Sequence, residues 1–307
     1  IMCCDRMKCS FCKNDAIIYL SYSKKFLCGK HLVRSLEKRV GNNIRKYDMI
    51  TSKRKIGVGI SGGKDSLTLL YVLKELLGDN RKIEIVGITI DEGIEGYRDK
   101  SIVNARELCK KLDIKHYIYT FKEYAKEMDE IMKNSRSDPC SYCGVFRRWI
   151  LNKACKDLNI DVLAIGHNLD DTVQTLQMNI MRNEPLRIAR FRPSGGILED
   201  DDFITRIRPL FNIPEREIVA YALYKEIKFH NGECPYAGLA LRNPVRIFIN
   251  DMEKNYPGIK FRMLNSYLSM LETIKIPENM KINKCKKCKE NTSNELCKRC
   301  SFLEELD

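Results

Sequence analysis

The chain has 307 residues, 44% hydrophobic and 31% charged, and carries a formal charge of +13. This composition excludes a disordered polyelectrolyte, and no apolar run is long enough to span a membrane. The basic surplus exceeds what a mononucleotide needs and suits a polyanion such as RNA, or serves solubility alone. Fourteen cysteines behind a polar N-terminus without a secretory leader point to a reducing, cytoplasmic setting and to metal ligation, not disulfides.

In chain order, Cys9-x-x-Cys12 and Cys28-x-x-His31 are fifteen residues apart. Two knuckles of two soft ligands each can close a tetrahedral zinc site with no open position, which makes it structural. The segment between them reads as a small hairpin, so residues 1–33 form an N-terminal zinc module. Cys3 and Cys4 precede the four ligands, and the spacing assigns them no partner. Residues 34–54 read as a basic helix and linker, with Arg34, Lys38, Arg39, Arg45 and Lys46 either touching RNA or forming a solvated face.

Residues 55–66 read K-I-G-V-G-I-S-G-G-K-D-S. A β-branched run ends in a glycine turn, and a leucine-rich helical pattern follows. That geometry binds phosphate, because glycines admit the backbone and the helix N-terminus offers free amides and a favourable dipole. The candidate nucleotide contacts are Gly59, Ile60, Ser61, Gly62, Gly63, Lys64, Asp65 and Ser66. Lys64 adds a mobile positive charge, and Asp65 suggests a bound metal ion. The spacing matches neither G-x-x-x-x-G-K-[ST] nor G-x-G-x-x-G. The string resembles the PP-loop of ATP pyrophosphatases.

Residues 83–90 form a second apolar strand ending in Asp91-Glu92-Gly93. Ligands of an open parallel sheet sit beyond the carboxyl ends of its strands, where Thr89, Ile90 and Asp91 would lie. Residues 98–112 read as a helix, 116–121 as a strand and 161–165 as a further strand. Gly166-His167-Asn168-Leu169-Asp170-Asp171 follows at the same edge. Asp170 and Asp171 are read as metal or positioning carboxylates, with helix capping the alternative. His167, Cys109 and Cys155 read as buried structural groups. Strand–helix alternation gives an α/β fold, a mostly parallel sheet covered on both faces, over residues 55–280. Beyond Arg187 the pattern becomes an irregular or hairpin insert around an acidic run at 199–202, with Arg206 and Arg208 on its far shoulder. Three further helices follow.

Residues 281–307 hold Cys285-x-x-Cys288 and, eight residues on, Cys297-x-x-Cys300, a compact four-thiolate zinc set rimmed by lysines including Lys286 and Lys287. Cys140, Cys143 and Cys234 remain. Cys140-Ser-Tyr-Cys143 reads as a loop just before a helix, and Cys234 precedes Pro235. Cys-Pro steps occur among iron–sulfur ligands. Spacing alone leaves a 4Fe–4S cluster with one open iron, a partial zinc site and redox thiols as alternatives. Arg147 and Arg148, one turn past Cys143, form a basic helix face.

The combination of both knuckle modules with S-G-G-K-D-S, C-x-x-C before G-V-F-R-R, G-H-N-L-D-D, R-I-R-P-L and E-C-P-Y is similar to the TtuA/NcsA family of PP-loop tRNA 2-thiouridine synthetases. The resemblance covers nearly the whole chain. It implies a PP-loop α/β domain flanked by two zinc modules, with ATP, Mg2+, two Zn2+ and one 4Fe–4S cluster on Cys140, Cys143 and Cys234. It also implies chemistry in two steps. The uridine C2 oxygen attacks the ATP α-phosphorus with Lys64, Asp65, Asp170 and Asp171 in attendance, and sulfide held at the open iron then displaces AMP. tRNA would meet Arg147, Arg148, Arg206, Arg208, Lys286 and Lys287. The sulfur source is sulfide or a ubiquitin-like thiocarboxylate carrier, and a homodimer is kept as a partner. The lysine- and isoleucine-rich, archaeal character of the chain favours the wobble uridine over the T-loop. The rivals are a PP-loop 2-thiocytidine synthetase, a persulfide relay without a cluster, and a non-catalytic zinc-bearing RNA-binding module.

Overall fold

Residues 18 and 20 point with Leu27 into one small apolar cluster, so Ile18–Leu20 (β1) and Lys25–Leu27 (β2) pair as an antiparallel hairpin. The computed structural model describes residues 7–51, 54–134, 138–195, 204–236, 241–271, 273–274 and 283–306. Cys3, Cys4, the acidic run at 199–202 and Lys281 lie outside them. The hairpin leads directly into Gly29–Lys46 (α1). Leu32 joins the hairpin cluster, and Leu36, Val40 and Ile44 carry the same helical stripe into the main core. The boundary expected at residue 34 falls inside α1, whose Leu36, Val40, Asn43 and Ile44 are buried while Arg34, Lys38, Arg45 and Lys46 are exposed. Gly29 is required where α1 crosses Tyr224, since a Cβ there would stand 1.9 Å from the ring.

The alternating region then runs Arg54–Gly59 (β3), Lys64–Leu77 (α2), Ile83–Asp91 (β4), Arg98–Lys111 (α3) and Lys115–Thr120 (β5). Phe121–Tyr124 (α4) and Met128–Asn134 (α5) precede Pro139–Asp157 (α6), Val162–Ile165 (β6), Leu169–Met181 (α7), Pro185–Arg190 (α8) and Thr205–Ile207 (β7). Glu215–Tyr224 (α9), Arg242–Asn255 (α10), Ile259–Leu271 (α11), Asn283–Lys284 (β8), Asn291–Thr292 (β9) and Lys298–Leu306 (α12) follow. The main sheet is parallel, in the order β5-β4-β3-β6-β7. The strand order reverses at β3, so a crevice opens beyond the carboxyl ends of β3 and β6. The edge strand β7 lies in the segment expected to be irregular. Its T-R-I is too short to show alternation.

Two apolar layers cover the sheet. One gathers α1, α2, α7, α9, α10 and α11; the other gathers α5, α6 and Phe302 of α12. The C-terminal module is docked on α6: the Phe302 ring lies 4.2 Å from Tyr142, and the Arg299 guanidinium 3.9 Å over Trp149. Among the described residues no helix is long and apolar enough to cross a membrane.

Candidate active site

The phosphate loop follows from the backbone that β3 and α2 impose. Gly62 adopts φ 79°, and a Cβ there would stand 2.1 Å from the Ser101 carbonyl oxygen, so only glycine fits. Gly63 caps α2 in extended conformation with no side-chain acceptor, which leaves the first α2 amides for an anion. Ser66 Oγ accepts from Ser61 N at 3.0 Å and lies 3.0 Å from Ser61 Oγ, tightening the turn. Lys64 Nζ stands 3.1 Å from Asp65 Oδ2 and 2.6 Å from Glu215 Oε1. Burial draws the Lys64 pKa down, but those carboxylates outweigh it and keep the ammonium charged.

The turn after β6 packs against this loop. A Cβ on Gly166 would meet Ser66 N at 3.0 Å. Asn168 caps α7: its Oδ1 accepts from Asp171 N at 2.9 Å, and Asp171 Oδ2 accepts from Asn168 N at 3.3 Å. The remaining Asn168 amide donates to Asp65 Oδ1 at 2.9 Å. Asp65 and Asp171 therefore share one partner. Burial raises the Asp171 pKa to about 6; Arg242, 3.6 Å away, opposes this and the Asp65 charge adds to it. A divalent cation between the two carboxylates would relieve that repulsion.

Asp170 turns the other way. It is buried, accepts from Glu215 N at 2.8 Å and pairs with Lys260, so it ties α7 to α9 and α11. This placement gives it a fold role instead of the catalytic one expected from its motif. Thr89 is also turned inward, donating to the Ile60 carbonyl at 2.8 Å with His116 Nε2 at 2.7 Å, and Asp91 Oδ1 accepts from Gly93 N at 3.0 Å. Ile60, Thr89 and Ile90 are buried, so Gly59, Ile60, Thr89, Ile90 and Asp91 can offer a nucleotide little beyond their backbone. His167 is half-buried, with its Nδ1 atom buried and unpaired. Burial, reinforced by Arg208 and Arg242, pulls its pKa from 6.5 to about 3. The unfolded chain then binds more protons through that window, so this group removes stability as pH falls below about 6.5, by up to ~1.4 kcal/mol per pH unit. His167→Gln is expected to flatten the urea midpoint between pH 6.5 and 4; an unchanged acid limb would assign the effect elsewhere.

Cys140 and Cys143 lie in the first turn of α6, not in a preceding loop. Asp138 caps that helix, accepting from Cys140 N at 3.2 Å, and Pro139 occupies its start. Cys140 is exposed, whereas Cys143 and Cys234 are half-buried against the same apolar cluster. Burial raises the Cys140 thiol pKa, and the charges of Asp138 and Cys234 add to it. Cys143 is also raised by burial, against the pull of Arg147, whose Nη2 donates to its sulfur at 3.0 Å. Among the described residues, the groups whose ligand atoms all lie within 4.8 Å of one another do not include these three. Three thiols are too few to close an ordinary four-ligand zinc site, and on a cubane they would leave one iron without a protein ligand.

Behind the cysteines sits Glu92, 0% exposed. Its Oε1 accepts from Arg147 Nη2 at 2.7 Å, and Arg98 grips both of its oxygens. Burial would raise the Glu92 pKa, but Arg147 and Arg98 hold it below the usual range. Arg98 Nη1 also donates to the Ser61 carbonyl at 3.0 Å. One residue on, the Gly62 carbonyl accepts from His230 N at 3.1 Å. The phosphate loop is thereby bonded toward both cysteine-bearing segments.

The two predicted metal sets assemble as expected. Cys9 and Cys28 sulfurs lie 3.5 and 3.3 Å from His31 Nδ1, and Cys12 lies 3.7 Å from Cys28. Cys288 and Cys297 are 3.5 Å apart in the second set, with Cys285 and Cys300 closing it. Zinc bonds of about 2.0–2.3 Å give tetrahedral edges of about 3.3–3.8 Å, so both sets fit. Each set uses the first turn of a helix, α1 or α12. Cys300→Ser is expected to halve the zinc content and lower Tm by about 10 °C or more, since structural zinc is worth on the order of 10 kcal/mol to its fold. Unchanged zinc by mass spectrometry of the native protein would sink that assignment.

Comparison with known proteins follows the same division. Residues 31–253 match the PP-loop domain, and residues 8–33 match the N-terminal LIM domain of 2-thiouridine synthetase TtuA. The tRNA 2-thiolation protein NcsA of Haloferax volcanii is 34% identical, with 98% of this chain and 99% of that protein covered. The chain belongs to the TtuA/NcsA family of PP-loop tRNA 2-thiolation enzymes. The tRNA-5-methyluridine(54) 2-sulfurtransferase of Pyrococcus horikoshii is 37% identical over 96% of this chain and 93% of its own length. The U34-tRNA thiolase NcsA from Methanococcus maripaludis, solved with its [4Fe-4S] cluster, superposes with a TM-score of 0.86 at 35% identity, covering 98% of this chain and 96% of that one.

The basic residues expected at tRNA in this TtuA/NcsA chain divide by exposure. Arg148 is exposed on α6. Arg206 donates to the Arg148 carbonyl at 3.2 Å and to Asn152 Oδ1 at 2.7 Å. Burial and the Arg148 charge lower the Arg206 pKa to about 10, and among the described residues no carboxylate pairs with either. Arg208 is buried, holds the Arg192 carbonyl and lies 4.6 Å over the Phe191 ring, which is a packing role. Lys286 and Lys287 form surface pairs with Glu295 at 2.8 Å and Glu304 at 2.5 Å, weak enough to exchange for phosphate. Glu92, Arg98, Asn168, Glu215 and Arg242 are site residues that sequence reasoning missed. Glu92, Arg98 and Asn168 lie in or near the segments after β4 and β6 at the carboxyl edge of the sheet, whereas Glu215 and Arg242 come from α9 and α10 with no local signal to mark them.

Proposed function

We propose that the chain thiolates C2 of the wobble uridine of tRNA, using ATP to activate the oxygen it replaces. The observation that carries this is the phosphate loop hydrogen-bonded toward both cysteine-bearing segments at one sheet edge. Nucleotide activation and sulfur chemistry then share a single cleft. The α2 amides and Lys64 bind the triphosphate, and Asp65 and Asp171, spaced by Asn168, hold Mg2+. The uridine oxygen bonds to the α-phosphorus as the bond to pyrophosphate breaks. Sulfur then bonds to C2 as the C2–oxygen bond breaks and AMP leaves.

Cys140, Cys143 and Cys234 fit a 4Fe–4S cluster by the chemistry of a three-thiol donor set. When bound, it supplies an iron without a protein ligand, at which substrate sulfide can be held. Arg147 donates to the Cys143 sulfur and so tunes that ligand. Two closed four-ligand zinc sites serve the fold. Arg148 and Arg206 receive the tRNA backbone.

The test is anaerobic purification with iron, sulfide and zinc analysis, followed by thiolation of tRNA with sulfide and ATP. About four irons and about two zincs per chain are expected, with 2-thiouridine mapped by mass spectrometry to position 34. Thiolation at full rate by iron-free protein would overturn the cluster assignment. Thiolation confined to the T-loop would overturn the choice of uridine.

A further inference from the structure

Glu92 is a buried carboxylate to which no motif assigns a task. Burying an acid costs several kcal/mol unless its partners are well placed. Here both oxygens are taken: Arg98 spans the pair, and Arg147 Nη2 donates to Oε1 as well as to the Cys143 sulfur. Arg98 reaches the Ser61 carbonyl of the phosphate loop at 3.0 Å, and Arg147 reaches the Cys143 sulfur at 3.0 Å. Without the carboxylate the two guanidiniums would repel each other and neither end would be fixed. Ser61 itself adjoins Gly62, which packs too closely on Ser101 to admit a side chain. The Arg98 contact therefore reaches the loop at its tightest turn.

We propose that Glu92 is a positioning residue: Arg98, Glu92 and Arg147 form a strut that transmits nucleotide occupancy of the phosphate loop to the thiol of Cys143. This rests on the nucleotide reading of the loop given above. Phosphates drawing on the loop amides order Ser61–Gly62, and the strut passes that ordering to the first turn of α6. Coupling of this kind is reciprocal, so occupancy of the cysteine site tightens nucleotide binding by the same factor. Cys140 lies three residues from Cys143 but is exposed and makes no bond to Arg147. It is the internal control.

The experiment measures site-resolved alkylation of Cys143 and Cys140 by iodoacetamide. It uses cluster-free, zinc-retaining protein without oxygen, with and without a non-hydrolysable ATP analogue whose Kd is measured alongside. In the unaltered protein, saturating nucleotide is expected to slow Cys143 alkylation at least about fivefold, the lower end of ordinary coupling, and to leave Cys140 within twofold. In Glu92→Gln the slowing should shrink below twofold while the analogue still binds. Arg98→Lys keeps the charge but loses the two-pronged grip, and should behave alike; it carries the test if Glu92→Gln does not fold. Slowing below twofold in the unaltered protein, or equal slowing in either folded variant, overturns the strut. Slowing of Cys140 and Cys143 together in every form would mean that nucleotide shields the site directly, and also overturns it. Failure of the analogue to bind at all would instead overturn the nucleotide reading.

Discussion

Lys64→Ala is expected to reduce tRNA-dependent AMP formation by about 10²–10³-fold, the scale on which a preorganised donor to a developing negative charge acts. Lys64 is the ammonium at the mouth of the loop, held between Asp65 and Glu215. Its loss removes the charge that meets the phosphates and leaves those two carboxylates facing the same space. The fold should survive, because the core around α2 is made by Leu67, Leu69, Leu70, Val72 and Leu73, all fully buried. The readout is release of labelled AMP, with iron content and circular dichroism measured on the same preparation. AMP formation within threefold of the unaltered rate would remove Lys64 from the chemistry. Loss of iron along with AMP would mean that the substitution reached the cysteine site and the two halves are not separable.

The complementary change is Cys234→Ala. Thiolation is expected to fall by about 10³-fold or more, because two remaining thiolates cannot hold the cluster that three could. AMP formation should stay within about threefold, since Cys234 lies four residues from the His230 amide that touches the loop and is not itself part of it. Iron and acid-labile sulfide are expected to drop with thiolation, which separates this outcome from a persulfide relay, where thiolation would fall without any iron to lose. Retained thiolation in Cys234→Ala would leave the third ligand to another residue. The two substitutions together divide activation from sulfur insertion.

Much of this was legible in the sequence because it is local. The glycines at 62 and 63, the C-x-x-C spacings and the strand–helix alternation each act within a few residues, so the phosphate loop, both metal sets and the parallel sheet were readable. What was not legible depends on residues far apart in the chain. Asp170 and Asp171 are neighbours of the same type, yet one turns toward Lys260 and α9 and the other toward Asp65. Nothing in the pair distinguishes them until α7 is packed. Arg206 and Arg208 likewise differ, one half-exposed on β7 and the other buried just past its end, and the strand is too short to announce this. Glu92 is most instructive. Its partners lie six and 55 positions away, and a lone acid at a strand end reads as solvated until Arg98 and Arg147 close over it.

The docking of α12 on α6 has a consequence for how the protein is made. Tyr142 and Phe146 receive Phe302 as their apolar cover, yet the chain between them takes about 8–30 s to synthesise at ordinary elongation rates of ~5–20 residues per second. For that interval Tyr142 and Phe146 on the cysteine-bearing helix lack the ring that covers them in the finished fold. A chain released before α12 is made would leave that apolar face bare.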